Sequence, residues 1–117
     1  MSETVLIVDD HGGFRGCARE LLEAEGFEVV GEASDAASGI AAVEDLRPDI
    51  VLLDVQLPDV DGVQAARSIA ALNGNSAIVL ISSRDVSDLL GADTETPARG
   101  FIPKSELSGV AIRQLLV

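Results

Sequence analysis

The sequence contains neither tryptophan nor tyrosine, and among its 117 residues there are one cysteine, one histidine, one lysine and three phenylalanines. A single thiol cannot close an internal disulfide, so Cys17 suits a reducing cytoplasm, and its place on an apolar helical stripe marks it as a buried thiol. No apolar run approaches the ~20 residues that a bilayer span needs. No basic segment followed by an apolar stretch opens the chain, so neither membrane insertion nor secretion is expected. Basic side chains are also scarce, 8 against 20 acidic ones, for a net charge of −12. Direct nucleic-acid binding needs Lys and Arg to displace counterions from phosphates, and this balance argues against it. Phosphate-binding Gly-x-x-x-x-Gly-Lys-Ser/Thr and dinucleotide Gly-x-Gly-x-x-Gly loops are missing, so nucleotide binding has no support. His11, the single imidazole, has no reactive Ser or Cys beside it, which argues against a hydrolase triad.

What is present is an ordinary globular composition, 47% apolar and 24% charged. The length fits one domain of roughly 100–200 residues, and no repeat or linker divides it, so residues 1–117 read as a single domain. Apolar runs of strand length recur at Val5–Val8, Val29-Val30, Ile50–Leu53, Ile78–Ile81 and Phe101-Ile102. Three of them are apolar without alternation, the mark of strands covered on both faces of a parallel sheet. Between them lie helical stripes: Phe14, Cys17, Ala18, Leu21, Leu22; then Ala36, Ile40, Val43, stopped by Pro48; then Val63, Ala66, Ile69, Ala70. Asp61 caps the third helix, and Asn73-Gly74 suits its C-terminal turn. Ser105 and Glu106 open a last helix carrying Leu107, Val110, Ala111 and Leu115. Residues 86–98, with Gly91 and Pro97, support only a short or irregular fourth helix. Strand–helix alternation of this kind gives an α/β doubly wound fold with a five-stranded parallel sheet.

In such sheets ligands bind beyond the carboxyl ends of the strands. Asp9 and Asp10 follow the first strand, Asp54 the third, Ser82 and Ser83 the fourth, and Lys104 the fifth. If the first and third strands are neighbours, their ends lie ~5 Å apart and three carboxylates share one pocket. Like charges that close cannot all stay ionised unaided, and a hard divalent cation such as Mg²⁺ resolves the conflict. Ser82 and Lys104 offer a hydroxyl and a compact cation to a phosphoryl group. Together these groups point to phosphoryl transfer onto a carboxylate, with Asp54, from the central strand, as acceptor. The Asp59-Val60-Asp61-Gly62 segment reads as a turn leading into a helix cap.

Val8-Asp9-Asp10-His11, the run Leu53 to Gly62, Ile81-Ser82-Ser83 and Gly100-Phe101-Ile102-Pro103-Lys104 together resemble the receiver domain of two-component response regulators. The wording around His11, Val30-Gly31-Glu32-Ala33 and Arg99-Gly100-Phe101 is most similar to receivers of the NarL/FixJ, or LuxR-type, group. The resemblance implies a flavodoxin-like (βα)5 fold with strand order 2-1-3-4-5, an order this family is used to illustrate. It implies that a sensor histidine kinase or phosphotransfer protein donates phosphate to Asp54 with Mg²⁺ bound. Asp10, Asp54 and the backbone carbonyl of Gln56 would ligate the metal, with Asp9 acting mostly through water. Ser82 and Lys104 would bind the phosphoryl oxygens, Phe101 would be the aromatic switch, and Gln56 and Arg84 would tune the lifetime of the aspartyl phosphate.

Gly12-Gly13 departs from the group's usual proline and large apolar residue, so a looser first loop is expected. Ile112 and Leu116 fall outside the stripe of the last helix and read equally as scattered surface apolars or as a contact with a downstream protein or a second copy of the chain. No output domain follows within the sequence, so the chain is expected to be either a stand-alone receiver or a truncated piece of a longer protein. The expected role is that of a phospho-acceptor that assists its own phosphorylation and acts through protein contacts, and not of an enzyme with a diffusible substrate. Two rivals remain: an atypical receiver that binds partners without phosphorylation, and a Mg²⁺-dependent phosphohydrolase. Phosphohydrolases of that kind usually need an acid two residues after the nucleophile, where Gln56 stands.

Overall fold

Strands apolar along their whole length are stable only where both faces are covered, and the chain meets that demand with helices on each side of one sheet. The computed structural model describes residues 3–72, 75–83 and 97–116. The elements are β1 (Thr4–Val8), α1 (Gly12–Ala24), β2 (Glu28–Ala33), α2 (Ala36–Leu46), β3 (Ile50–Asp54), α3 (Gly62–Leu72), β4 (Ala77–Ser82) and β5 (Gly100–Pro103). A 3₁₀ turn at Lys104–Glu106 leads into α4 (Gly109–Leu116). All strand pairs are parallel and their order is β2-β1-β3-β4-β5. The fold is therefore flavodoxin-like, as the motifs imply. The expected helix at residues 86–98 lies almost wholly outside the described residues, as do Asn73-Gly74 and Arg84.

Successive strand residues point to opposite faces, and the two cores divide accordingly. Val5, Ile7, Ile50, Leu52, Val79 and Ile81 pack with Ala18 and Leu22 of α1 and with Ile112 of α4. Leu6, Val8, Val51, Leu53, Ile78 and Leu80 pack with Ala36 and Val43 of α2 and with Ala65, Ala66 and Ile69 of α3. Two crossovers need missing side chains. A Cβ on Gly39 would stand 2.9 Å from Val8, and one on Gly62 would collide with the carbonyl of Asp54 and stand 2.5 Å from Val55 Cα. Gly62 thus lets α3 start against the strand end that carries the central carboxylate.

Two helix starts are set by acids. Asp35 caps α2, accepting from Ser38 N at 2.8 Å, and Asp61 caps α3, accepting from Gln64 N at 2.8 Å. Gly12 and Gly13 do not loosen a loop: they form the first turn of α1, closed by Arg15 N donating to His11 O at 3.1 Å.

Three sequence expectations need correction. Cys17 is exposed, because the buried face of α1 runs through Ala18 and Leu22 and one residue back is a rotation of about 100°. The last helix is opened by Ser108, whose Oγ accepts from Ala111 N at 3.0 Å, and not by Ser105, which lies in the 3₁₀ turn. Leu107 is extended (ψ 127°) and breaks the phase between turn and helix. The buried face of α4 therefore carries Gly109 and Ile112, with Leu116 packed beside them, while Val110 is 62% exposed. Ile112 is core and so offers no contact to a partner. Finally, α4 is anchored to the turn after α1: the Glu25 carboxylate accepts from Gly109 N, and Arg113 Nη2 donates to the Glu25 carbonyl at 3.3 Å.

Candidate functional site

The register brings the polar strand ends together. Val8 pairs with Leu53, so Asp9 and Asp54 are the next residues along adjacent parallel strands and share one side of the sheet. Asp54 pairs with Ile81, and Ser82 pairs with Pro103, which sets Ser82 at the end of β4 and Lys104 just beyond β5. The four positions Asp9, Asp54, Ser82 and Lys104 therefore cap four consecutive strands. Asp10 and Gln56 lie just outside this row, both exposed.

Burial makes the cluster electrostatically demanding. Asp9 is fully buried, and Asp54 is 4% exposed. Lys104, the chain's single lysine, sets its ammonium 2.5 Å from Asp9 Oδ2 and 3.4 Å from Asp54 Oδ2. The first is an ion-pair approach without hydrogen-bond geometry, and Asp9 Oδ2 has no hydrogen-bond partner. Asp54 Oδ1 accepts from Gln56 N at 3.0 Å. Burial raises the pKa of Asp54 above the ordinary carboxylate value. The Gln56 amide opposes that rise, the Asp9 charge adds to it, and Lys104 opposes it. One ammonium thus serves two buried carboxylates, and Asp10 adds a third acid at the rim. Ligand atoms of Asp9, Asp10, His11 and Asp54 all lie within 4.8 Å of one another. Carboxylates that close, with one ammonium shared between the two buried ones, fit a hard divalent cation.

Several residues around the site carried no such role in the sequence. Phe14 stood out only as part of an apolar stripe, yet Lys104 Nζ sits 4.5 Å from its ring centroid. Arg15 donates to the Asp9 carbonyl at 2.5 Å and to Glu32 at 3.1 Å, tying α1 to the strand end. Asp59 does more than form a turn. Its two oxygens accept from Ala36 N and Ala37 N at 2.9 and 3.0 Å, joining the loop after β3 to the start of α2. Those two amides hold its pKa below the ordinary value. Such contacts join residues far apart in sequence, so no local pattern announces them. The nearest signal was the acid-rich Asp59-Val60-Asp61 run itself.

Phe101 is half-buried and packs against the α2/α3-side core. With Ile102, Pro103, Glu106, Ala111 and Leu115 it also lines a shallow cleft beside α4.

Among known proteins, the response regulator receiver domain family matches residues 5–114. The chain is 30% identical to the chemotaxis protein CheY of Thermotoga maritima over 104 residues, covering 89% of this chain and 87% of that protein. It spans about half the length of a putative transcriptional regulator of Pseudomonas aeruginosa, at 30% identity over 102 residues (87% of this chain, 49% of that protein). Among solved structures, a LuxR-family two-component response regulator from Aurantimonas superposes with a TM-score of 0.86 at 29% identity, covering 99% of this chain and 86% of that one. A CheX-CheY-BeF3-Mg²⁺ complex from Borrelia burgdorferi gives a TM-score of 0.77 at 26% identity, covering 97% of this chain and 86% of that one.

Proposed function

Because the chain belongs to the response regulator receiver domain family, we propose that it is a Mg²⁺-dependent phospho-acceptor, with Asp54 receiving the phosphoryl group from a sensor histidine kinase or a phosphotransfer protein. The observation that carries this reading is Asp54 itself. It is a nearly buried carboxylate on a central strand, facing Asp9 and Lys104 and within ligand reach of Asp10. The similar Borrelia protein, whose complex holds BeF3 and Mg²⁺, supports the same assignment.

Asp10, Asp54 and the Gln56 carbonyl would hold the metal, with Asp9 reaching it mostly through water. A bound Mg²⁺ would neutralise charge on the phosphoryl oxygens. The chain's own residues do the rest. The Gln56 amide holds Asp54 Oδ1, which leaves Oδ2, accepting from Lys104 Nζ at 3.4 Å, as the nucleophile. Attack by Oδ2 on phosphorus forms the P–O bond as the P–N bond of the donor phosphohistidine breaks. The donor imidazole keeps that electron pair and takes up a proton. Lys104 then stabilises charge on the transferred oxygens, and the Ser82 hydroxyl donates to one of them. Movement of Ser82 toward the phosphate would free the space that Phe101 takes as it turns further inward, changing the surface around β5 and α4 for a downstream protein. The reaction belongs to the cytoplasm, where such kinases present phosphohistidine. No helix of the described residues is long and apolar enough to cross a membrane.

Intact-mass spectrometry after incubation with Mg²⁺ and a small phosphodonor tests the reading. The expected result is one phosphoryl adduct that requires Mg²⁺ and is lost in Asp54→Asn. No adduct in the wild-type protein, together with no Mg²⁺ binding by titration, would overturn it in favour of a phosphorylation-independent binding module.

A further inference from the structure

His11 occupies the N-cap position of α1, yet its side chain makes no capping bond. An N-cap residue usually turns its side chain to the free amides of the first turn. The His11 ring turns the other way, placing Nδ1 3.3 Å from Asp9 Oδ1 and 3.1 Å from Asp10 Oδ1. Its main-chain N–H also donates to Asp9 Oδ1 at 2.8 Å, so backbone and ring are held against the same carboxylate. First-row cations hold imidazole nitrogen and carboxylate oxygen at about 2.0–2.2 Å, which sets neighbouring ligands roughly 3.0–3.4 Å apart. The 3.1 Å distance to Asp10 Oδ1, a direct ligand in the phospho-acceptor reading, falls in that window without any movement. The Asp9 carboxylate is fully buried, with Oδ2 beside the Lys104 ammonium and Oδ1 turned toward His11. The imidazole is 68% exposed, which leaves an open path from solvent to this side of the site.

We propose that His11 Nδ1 is a further metal ligand of the acidic crevice, so that the site takes a borderline first-row cation such as Ni²⁺ or Co²⁺ more tightly than Mg²⁺. The inference rests on the phospho-acceptor reading for the metal site, and adds a nitrogen donor to an otherwise all-oxygen set. Imidazole favours these metals over Mg²⁺, whose preference is for oxygen. The chemistry therefore makes the crevice sensitive to which divalent cation is at hand.

A protonated imidazole beside two carboxylates would give the same contacts as a plain ion pair, and metal titration separates the two. Calorimetry with Ni²⁺ and with Mg²⁺ is run on the wild-type chain and on His11→Gln. Pulsed EPR of the Mn²⁺-loaded protein looks for coupling to an imidazole nitrogen. The wild type is expected to bind Ni²⁺ about tenfold or more tighter than Mg²⁺. His11→Gln is expected to lose about tenfold in Ni²⁺ affinity, to keep Mg²⁺ affinity within about twofold, and to lose the nitrogen coupling. Unchanged Ni²⁺ binding in His11→Gln, or an equal loss for both metals, would overturn the ligand while leaving the phospho-acceptor reading in place. Failure of the wild type to bind either metal would overturn both.

Discussion

Lys104 holds its ammonium 4.5 Å from the centre of the Phe14 ring, and within 3.4 Å of its two carboxylates. The contact joins the first turn of α1 to the far end of the chain's last strand. It restricts a four-carbon stem that would otherwise sweep a wide arc, and so aims the charge at Asp9 and Asp54. Phe14→Leu keeps the apolar volume and removes the ring's attraction. Losing ~0.5–1 kcal/mol corresponds to phosphorylation of Asp54 slowed roughly 2–5-fold. Phe14→Tyr should restore the rate, measured by the growth of the phosphoryl adduct in intact mass. An unchanged rate in Phe14→Leu would remove Phe14 from the machinery.

The raised pKa of Asp54 has a consequence for stability. A carboxyl whose folded-state pKa is raised favours folding in its neutral form, an advantage present at low pH and lost as pH rises through that raised value. In metal-free buffer at pH 7, Asp54→Asn should therefore melt higher than the wild type. Each 1 kcal/mol of gain would appear as roughly 4 °C for a domain of this size. The gap should close as the pH falls toward the ordinary value of 3.8. Thermal melts across pH in a chelating buffer would show it, and a lower melting point for the variant at pH 7 would contradict it.

Asp59 has the opposite sign. Its pKa is lowered by the Ala36 and Ala37 amides. Its support of the fold is thus present above the ordinary carboxylate value and is lost as pH falls through the lowered one. Asp59→Ala should speed hydrogen exchange at the amides of Ala36 and Ala37 while leaving Ser38, capped by Asp35, protected. Equal protection in wild type and variant would mean that the bridge does not hold in solution.

The phase of α4 can be checked directly. Ile112 is fully buried, so Ile112→Ala should cost about 2–5 kcal/mol in denaturant unfolding. Val110→Ser, at an exposed position, should stay within about 0.5 kcal/mol of wild type. The reverse order would restore the sequence-based stripe.

That stripe shows where sequence reading stops. Strands β1, β3 and β4 were legible because a strand buried on both faces has to be apolar throughout, and Asp9, Asp54, Ser82 and Lys104 were legible because strand ends are where such sheets place polar groups. Asp61 was legible as a cap, since capping is local. Cys17 and Ile112 were not. Each sits about 100° from the edge of a stripe, and only the docking of the helix decides which side of the boundary faces water. The partnerships of Phe14 with Lys104 and of Asp59 with Ala36 were hidden for a related reason. They arise from register between distant elements, which no spacing along the chain encodes.

The anchoring of α4 to Glu25 also bears on the order in which the molecule assembles. A helix of eight residues is too short to persist by itself, since isolated helices are marginal below ~12–15 residues. Its first amide is bound by a side chain 84 positions earlier, and Arg113 lies over the Phe27 ring at 4.3 Å. The segment that stabilises α4 is therefore synthesised 84 residues before α4 itself. Closing so long a loop is entropically slow, so α4 should be among the last elements to form and the first to detach on unfolding. During translation, the apolar groove that receives Ile112 stays open until residues 109–116 have left the ribosome.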